Sequence, residues 1–252
     1  MRSGSRDGKE RKIGDAGGTR VFYMLPTIYA GFVGLALFLS GLPAFHPKAA
    51  AMGTRYTVAF AAGVVTAAAM FEMIPEADVS RNWPFLGLGF FAFYLLERVV
   101  MVHSCGEGEC ELKDIGWATL AGMSADNFTD GIAIAASYFT NPVLGLFVAV
   151  AVIAHEIPQS LAITLIMKDE KYSVKKILAT LFVGAVLYPA GAILAGSFPN
   201  DIYDLIVALV AGEFIFIGAG ELLPEAHKRF NIKVVVSVIL GALFISALEV
   251  LL

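Results

Sequence analysis

The sequence predicts an all-α integral membrane protein with eight transmembrane helices. Of the 252 residues, 58% are hydrophobic and only 16% are charged, and the mean hydropathy is +0.74. Apolar runs recur along nearly the whole chain, and each is close to the roughly 20 residues that a helix needs to cross about 30 Å of hydrocarbon. The predicted spans cover residues 22–42, 56–78, 84–103, 115–139, 142–167, 174–197, 202–225 and 232–252.

The spans leave room for one transmembrane domain over residues 21–252 and for no soluble domain. The turns between them, such as Asn141-Pro142 and residues 197–200, are too short to hold one. Residues 1–20 lack the apolar core of a signal peptide and are predicted to be a disordered polar tail.

Lys and Arg are distributed unevenly between the loops. The loops after spans 1, 3, 5 and 7, with their flanking turns, carry eleven basic residues, whereas the opposite loops carry only Arg81. Because positive loops are retained in the cytoplasm, both termini are predicted to lie outside a multi-pass protein of the cell (plasma) membrane. The N-terminal tail favours the reverse orientation, since it holds six basic residues against three acidic ones.

Spans 2 and 7 end in near copies of one motif. Residues 72–77 read Glu-Met-Ile-Pro-Glu-Ala, and residues 221–226 read Glu-Leu-Leu-Pro-Glu-Ala. In the predicted topology the copies lie on opposite membrane faces. Spans 1–3 and 6–8 are therefore predicted to be inverted repeats around spans 4 and 5, an architecture typical of secondary transporters. A chance match of six residues is the alternative.

Spans 4 and 5 each carry a polar triad with the spacing i, i+1, i+4. The members are Asp126, Asn127 and Asp130 in span 4 and His155, Glu156 and Gln159 in span 5. A tight turn joins the two spans, so they are antiparallel neighbours and both triads lie near the bilayer centre. An ionisable side chain there costs roughly 2.5 kcal/mol or more, so these groups must face a partner, water or an ion.

The residue types of the two triads predict a site for a divalent cation. Mixed nitrogen and oxygen ligands suit Zn²⁺ and comparable first-row ions, and neighbouring carboxylates repel each other unless a cation neutralises them. The histidine and the two amides could instead make only hydrogen bonds between helices. We therefore expect a transporter whose substrate is a divalent metal ion, with no enzymatic activity, no cofactor and no nucleic-acid partner. Membrane lipid surrounds it, and two copies could form a homodimer.

The two triads also carry a resemblance to a known family. Asp-Asn-Phe-Thr-Asp-Gly at 126–131 and His-Glu-Ile-Pro-Gln at 155–159 resemble the metal motifs of the ZIP (Zrt/Irt-like) family of divalent metal transporters. The order of features is similar over all eight spans, including Leu-Pro-Glu at the end of span 7. The resemblance implies a midplane site for one or two metal ions and transport towards the cytosol.

Five of the six triad residues match the family motifs directly and would be ligands by resemblance: Asn127, Asp130, His155, Glu156 and Gln159. Asp126 stands where the family has His, and Ser160 stands where it has Glu. Because Asp126 offers oxygen in place of nitrogen, we expect a broad site that takes zinc first and also iron, manganese, cobalt or cadmium.

Further acids and a histidine are candidates for the path to and from the site. They are Glu72, Glu76, Glu213, Glu221, Glu225 and His227. Ordinary solvation of helix ends is the alternative for those that lie closest to a helix end. In the loop after span 3, His103, Cys105 and Cys110 could bind metal weakly or belong to a solvated acidic loop. A disulfide between the two cysteines is not expected in a reducing cytosol.

Two other classes of protein use similar residues. An intramembrane metalloprotease would carry His-Glu-x-x-His on a helix, but Gln159 replaces the second His and Pro158 interrupts the helix. A cation-coupled transporter of an organic solute could use the same carboxylates for Na⁺ or H⁺.

Overall fold

The computed structural model describes residues 16–46, 54–105, 117–228 and 231–251. Over these residues the chain forms eight long helices and no strand. They are α1 (Ala16–Gly41), α2 (beginning Thr54–Ala67), α3 (Val79–Cys105), α4 (Trp117–Thr140), α5 (Pro142–Asp169), α6 (Val174–Ala195), α7 (beginning Tyr203–Ile215) and α8 (Ile232–Leu251). Each overlaps the range of one predicted span. Residues 1–15 of the predicted tail lie outside the described part, and α1 begins within that tail at Ala16.

Six of these helices are long and apolar enough to cross a membrane, namely α1, α2, α5, α6, α7 and α8. Over their described residues α3 and α4 do not reach the same apolarity; α4 carries the first polar triad. Large apolar side chains such as Phe32, Phe91, Phe182 and Leu243 are more than half exposed on the outer surface. An apolar surface of this extent suits contact with a membrane. The predicted class, an all-α membrane protein, is confirmed.

Wide π-helical turns extend both α2 and α7. In α2 they cover Ala68–Met73, before a last turn at Ile74–Glu76, and in α7 they cover Phe216–Leu222, before a last turn at Leu223–His227. The N–H of Ile74 bonds to the carbonyl of Ala69, five residues earlier, and Leu223 bonds in the same way to Gly218. A proline follows directly each time and donates no backbone hydrogen bond. Both segments carry the first Glu of the repeated motif, and such turns are frequent at functional sites.

Glycines allow several pairs of helices to touch along their backbones, and two of these pairs involve α2 and α7. In α2 and α8, a side chain at Gly63 or Gly241 would overlap a backbone carbonyl of the other helix. In α3 and α7, Gly89 and Gly212 have the same relation. Gly63 and Gly212 stand the same number of residues before the two copies of the repeated motif. The pair α2–α8 therefore corresponds to the pair α7–α3.

The helices α4 and α5 occupy the centre of the bundle. Asn141 separates them, and its side-chain oxygen accepts a hydrogen bond from the N–H of Val143 at 3.0 Å. Pro142 follows at the first position of α5, where a missing N–H is tolerated. On their other sides α5 packs against α1 and α2, and α4 packs against α6 and α7. The two triads thus lie on adjacent antiparallel helices, as predicted.

Candidate metal site

Four side chains of ligand type converge where α4 meets α5. Asp126 and Asp130 come from α4, and His155 and Glu156 come from α5; one candidate ligand atom of each lies within 4.8 Å of all the others. The Nε2 atom of His155 is 3.3 Å from Oδ2 of Asp130 and 3.4 Å from Oε1 of Glu156. We call these residues the four-residue group. Its dimensions suit a single metal ion.

The four-residue group is buried and contains three carboxyl groups but only one basic group, an imidazole. Asp130, His155 and Glu156 are at most 1% exposed, while Asp126 is partly exposed. The two contacts of His155 lack hydrogen-bond geometry. Among the described residues, no hydrogen-bond partner is found for the carboxylate oxygens of Asp130 and of Glu156 or for the two ring nitrogens of His155. Buried carboxylates without a counter-charge are costly. A divalent cation bound by these atoms would relieve that cost.

The two amides of the triads have different surroundings. Gln159 donates from Nε2 to Oδ2 of Asp126 at the long distance of 3.5 Å, so it lies beside the four-residue group. Asn127 is buried, and its Oδ1 accepts a hydrogen bond from the hydroxyl of Tyr188 in α6 at 3.1 Å. One of the two lone pairs of the Asn127 oxygen is therefore used by Tyr188. In the sequence, Tyr188 is distinguished only as a tyrosine that precedes Pro189 in an apolar span.

Ser160, which stands where the family pattern has Glu, faces another helix. Its hydroxyl lies 2.6 Å from that of Ser40 in α1. Its backbone carbonyl accepts a hydrogen bond from the Thr164 hydroxyl at 2.8 Å. Ser160 thus links α5 to α1 and does not add a ligand to the four-residue group.

A cavity of about 530 Å³ leads from Asp126 and Gln159 towards the ends of α3 and α7. Its lining includes three further acids, Glu97, Glu221 and Glu225. Glu97 was not among the predicted site residues. In the sequence it is an acid near the end of an apolar span, next to Arg98. Glu225 also forms an exposed ion pair with Lys228 at 2.6 Å, which contributes little to stability.

The remaining predicted residues lie apart from this cavity. Glu72 is buried at the end of α2, and Glu76 accepts a hydrogen bond from Asn141 at 3.3 Å. The Nδ1 atom of His227 lies 2.9 Å from the Leu223 carbonyl of its own helix. Glu213 is fully buried in the middle of α7. The side chains of His103 and Cys105 and the whole of Cys110 lie outside the described residues.

Aromatic rings pack on the side of the four-residue group that is opposite the cavity. Tyr138 of α4 contacts Tyr29 of α1, with ring centroids 5.9 Å apart. Phe139 contacts Tyr203 at the start of α7, with centroids 5.0 Å apart. Aromatic side chains therefore pack at this end of the bundle, whereas the cavity lies towards the other end.

Comparison with known proteins places this geometry in context. A family model described as ZIP Zinc transporter matches residues 101–249. Zinc transporter ZIP10 of Danio rerio is 30% identical over 134 residues, which are 47% of this chain and 16% of that protein. Zinc transporter ZIP13 of Pongo abelii is 29% identical over 143 residues (54% and 42%), and Metal cation symporter ZIP8 of Rattus norvegicus is 30% identical over 127 residues (49% and 27%). The chain thus spans less than half the length of each of these relatives.

Proposed function

The chain belongs to the ZIP zinc transporter family, and on that premise we propose that it transports divalent transition-metal ions across a membrane, with zinc as the main substrate. The observation that carries the proposal is the convergence of Asp126, Asp130, His155 and Glu156 in the middle of adjacent helices. Relatives named as zinc transporters and as a metal cation symporter support it. Those names disfavour the intramembrane metalloprotease.

In this proposal the four-residue group binds the substrate ion at the midplane. One imidazole nitrogen and several carboxylate oxygens form a mixed ligand set that suits Zn²⁺ and tolerates iron, manganese, cobalt and cadmium. Gln159 lies beside Asp126 at the edge of the cavity, where it would contact the ion as it leaves. Asn127 remains a candidate ligand, because its Oδ1 accepts one hydrogen bond from Tyr188 and keeps a second lone pair.

The proposed architecture is one transporter domain over residues 21–252, with eight spans and two inverted repeats. Three observations support the repeats: the matching motifs, the matching π-helical turns of α2 and α7, and the corresponding glycine contacts of α2–α8 and α7–α3. Chance similarity of six residues does not account for all three.

We propose transport towards the cytosol, with the cavity as the exit path of the metal ion. The cavity lies at the ends of α3 and α7, which the basic loops assign to the cytoplasm. Glu97, Glu221 and Glu225 would attract the cation there, while Glu72 and Glu76 would do so at the opposite face. The aromatic packing between α1, α4 and α7 would then close the outer side. Location in the plasma membrane and assembly as a homodimer stay predictions.

Purified protein in proteoliposomes tests the proposed function. We expect saturable Zn²⁺ uptake that needs no organic solute and is competed by Mn²⁺, Fe²⁺, Co²⁺ and Cd²⁺. A transporter of an organic solute would instead show metal- or proton-dependent solute uptake. Protein-free liposomes are the control. If no divalent metal enters above this background, the proposed function is wrong.

The ion ranking should depend on Asp126. Asp126→His replaces a hard oxygen ligand with a borderline nitrogen ligand, which should shift preference towards Zn²⁺ and Cd²⁺ and away from Mn²⁺. The measurement is Zn²⁺ uptake with the other ions as competitors. An unchanged ranking would show that Asp126 does not set selectivity.

The orientation follows from the basic residues and has its own test. A membrane-impermeant thiol reagent applied to intact cells should label Arg81→Cys and Asn200→Cys, two positions that are exposed in the structure, in a cysteine-free background. In the wild-type background it should spare Cys105 and Cys110. The reverse pattern would invert the orientation and the direction assigned to the cavity.

A further inference from the structure

A separate space lies between the first turn of α2, the second half of α5 and the last turn of α7. Its volume is about 510 Å³, and its charged lining residues are Arg55, Glu225 and Lys228. We call it the side cleft. The basic loops assign this end of the helices to the cytoplasm, so the side cleft would lie on that side of the membrane.

Arg55 presents an unpartnered donor at the side cleft. Its Nε donates to the backbone carbonyl of Ala226 in α7 at 3.0 Å, which fixes the guanidinium in place. Its Nη2 atom is buried and has no hydrogen-bond partner among the described residues. A guanidinium stays charged and carries five N–H donors, and a buried donor without an acceptor is costly. An anionic oxygen in the side cleft would supply the missing acceptor.

The charges that line the side cleft leave one positive charge in excess. Lys228 lies 2.6 Å from Glu225, so these two residues compensate each other, and the lining offers no second acid for Arg55. A phosphodiester group carries a single negative charge and would restore the balance. The planar fork of arginine also matches the geometry of phosphate oxygens.

The remaining wall of the side cleft is apolar and elongated. It consists of Val58 from α2 and of Pro158, Ala162, Leu165 and Ile166 from α5. Between Pro158 and Ile166 the helix rises about 12 Å, and Ala162 is exposed while Leu165 and Ile166 are partly exposed. A free phosphate ion would leave this wall uncovered, whereas an acyl chain would cover it.

We propose that the side cleft binds an anionic phospholipid, with its phosphate on Arg55 and Lys228 and an acyl chain along α5. Basic pockets between transmembrane helices on the cytoplasmic side bind lipid head groups in this way. The side cleft and the cavity share Pro158 and Ala162, so the lipid would lie beside the proposed exit path. Lipid binding itself does not depend on the proposed function.

Lipid binding to the purified full-length protein in detergent tests this inference. The protein is titrated with phosphatidylglycerol or with phosphatidylcholine, which has the same phosphodiester but no net charge, and bound lipid is counted by native mass spectrometry. We expect wild type to prefer phosphatidylglycerol, and Arg55→Gln to bind it at least about fivefold more weakly. Lys175→Gln is a matched control, because it removes an exposed cation at the same end of the bundle but outside the side cleft, and it should bind as wild type does.

The opposite results would overturn the lipid site. Equal binding of the two lipids by wild type would do so, and so would unchanged binding of phosphatidylglycerol by Arg55→Gln. Inorganic phosphate is added as a competitor: if it displaces the lipid at similar concentrations, the side cleft holds a free anion and the lipid assignment is wrong. If Arg55→Gln does not fold, Leu165→Trp decides, since it fills the apolar wall and leaves every charge in place; weaker lipid binding supports the site, and unchanged binding excludes it.

Discussion

Replacing Asp130 or His155 by alanine should abolish saturable metal uptake while the protein still inserts and folds. Each change removes one donor from a group whose members lie within 4.8 Å of each other. Loss of a residue that only supports a metal ligand costs about 10–100-fold in affinity or activity, so loss of a ligand should cost at least that much. The remaining charges would also be left without their partner ion.

Uptake of Zn²⁺ into proteoliposomes measures this effect. Ser137→Ala is a matched control, because Ser137 is a buried polar residue of the same helix as Asp130 and lies outside the four-residue group. The control should transport at the wild-type rate. Equal rates for wild type, Asp130→Ala and His155→Ala would refute the assignment of the group as the transport site.

A single methyl group at Gly89 should destabilise the whole bundle. A side chain there would overlap the backbone carbonyl of Leu209 in α7, and backbone atoms cannot move aside as a flexible side chain can. Overpacking of this kind costs about 1–3 kcal/mol, and sometimes more. Replacing glycine by alanine normally stabilises a helix by roughly 1 kcal/mol. The loss of stability is therefore expected in spite of the higher helix propensity of alanine.

Gly87 provides the control, since it lies two residues away on α3 and nothing would lie within 4 Å of an added side chain. Thermal unfolding in detergent should show a lower midpoint for Gly89→Ala and an unchanged or higher one for Gly87→Ala. If both variants unfold at the same temperature, the close contact of α3 and α7 does not exist as described.

The helices could be predicted from the sequence because the length and apolarity of each run set its span. Turn residues such as Asn141 and Pro142 also marked the limits. The π-helical turns were not predicted. Proline at 75 and 224 removes a backbone hydrogen-bond donor, but whether a helix kinks or widens there depends on what packs around it. The pairing of helices through glycines depends in the same way on contacts between distant segments.

The site could be predicted in part. The shared spacing of the triads indicated that Asp126, Asp130, His155 and Glu156 would meet, and the structure brings them together; their role as ligands stays a prediction. The orientation of Asn127 towards α6 could not be predicted, because its partner Tyr188 is far away in the chain. Glu97 was missed because an acid beside Arg98 is typical of a solvated helix end.

The glycine contacts of α2–α8 and α3–α7 have a mechanical consequence. Two helices whose backbones touch cannot slide or roll against each other without collision, so each pair behaves as a rigid body. Relative movement of the two pairs is then confined to their boundaries with each other and with the neighbouring helices. The cavity is lined by residues of α2, α3, α4, α5 and α7 and so lies at those boundaries, and a small rotation of either pair would therefore change access to the four-residue group without deforming any helix.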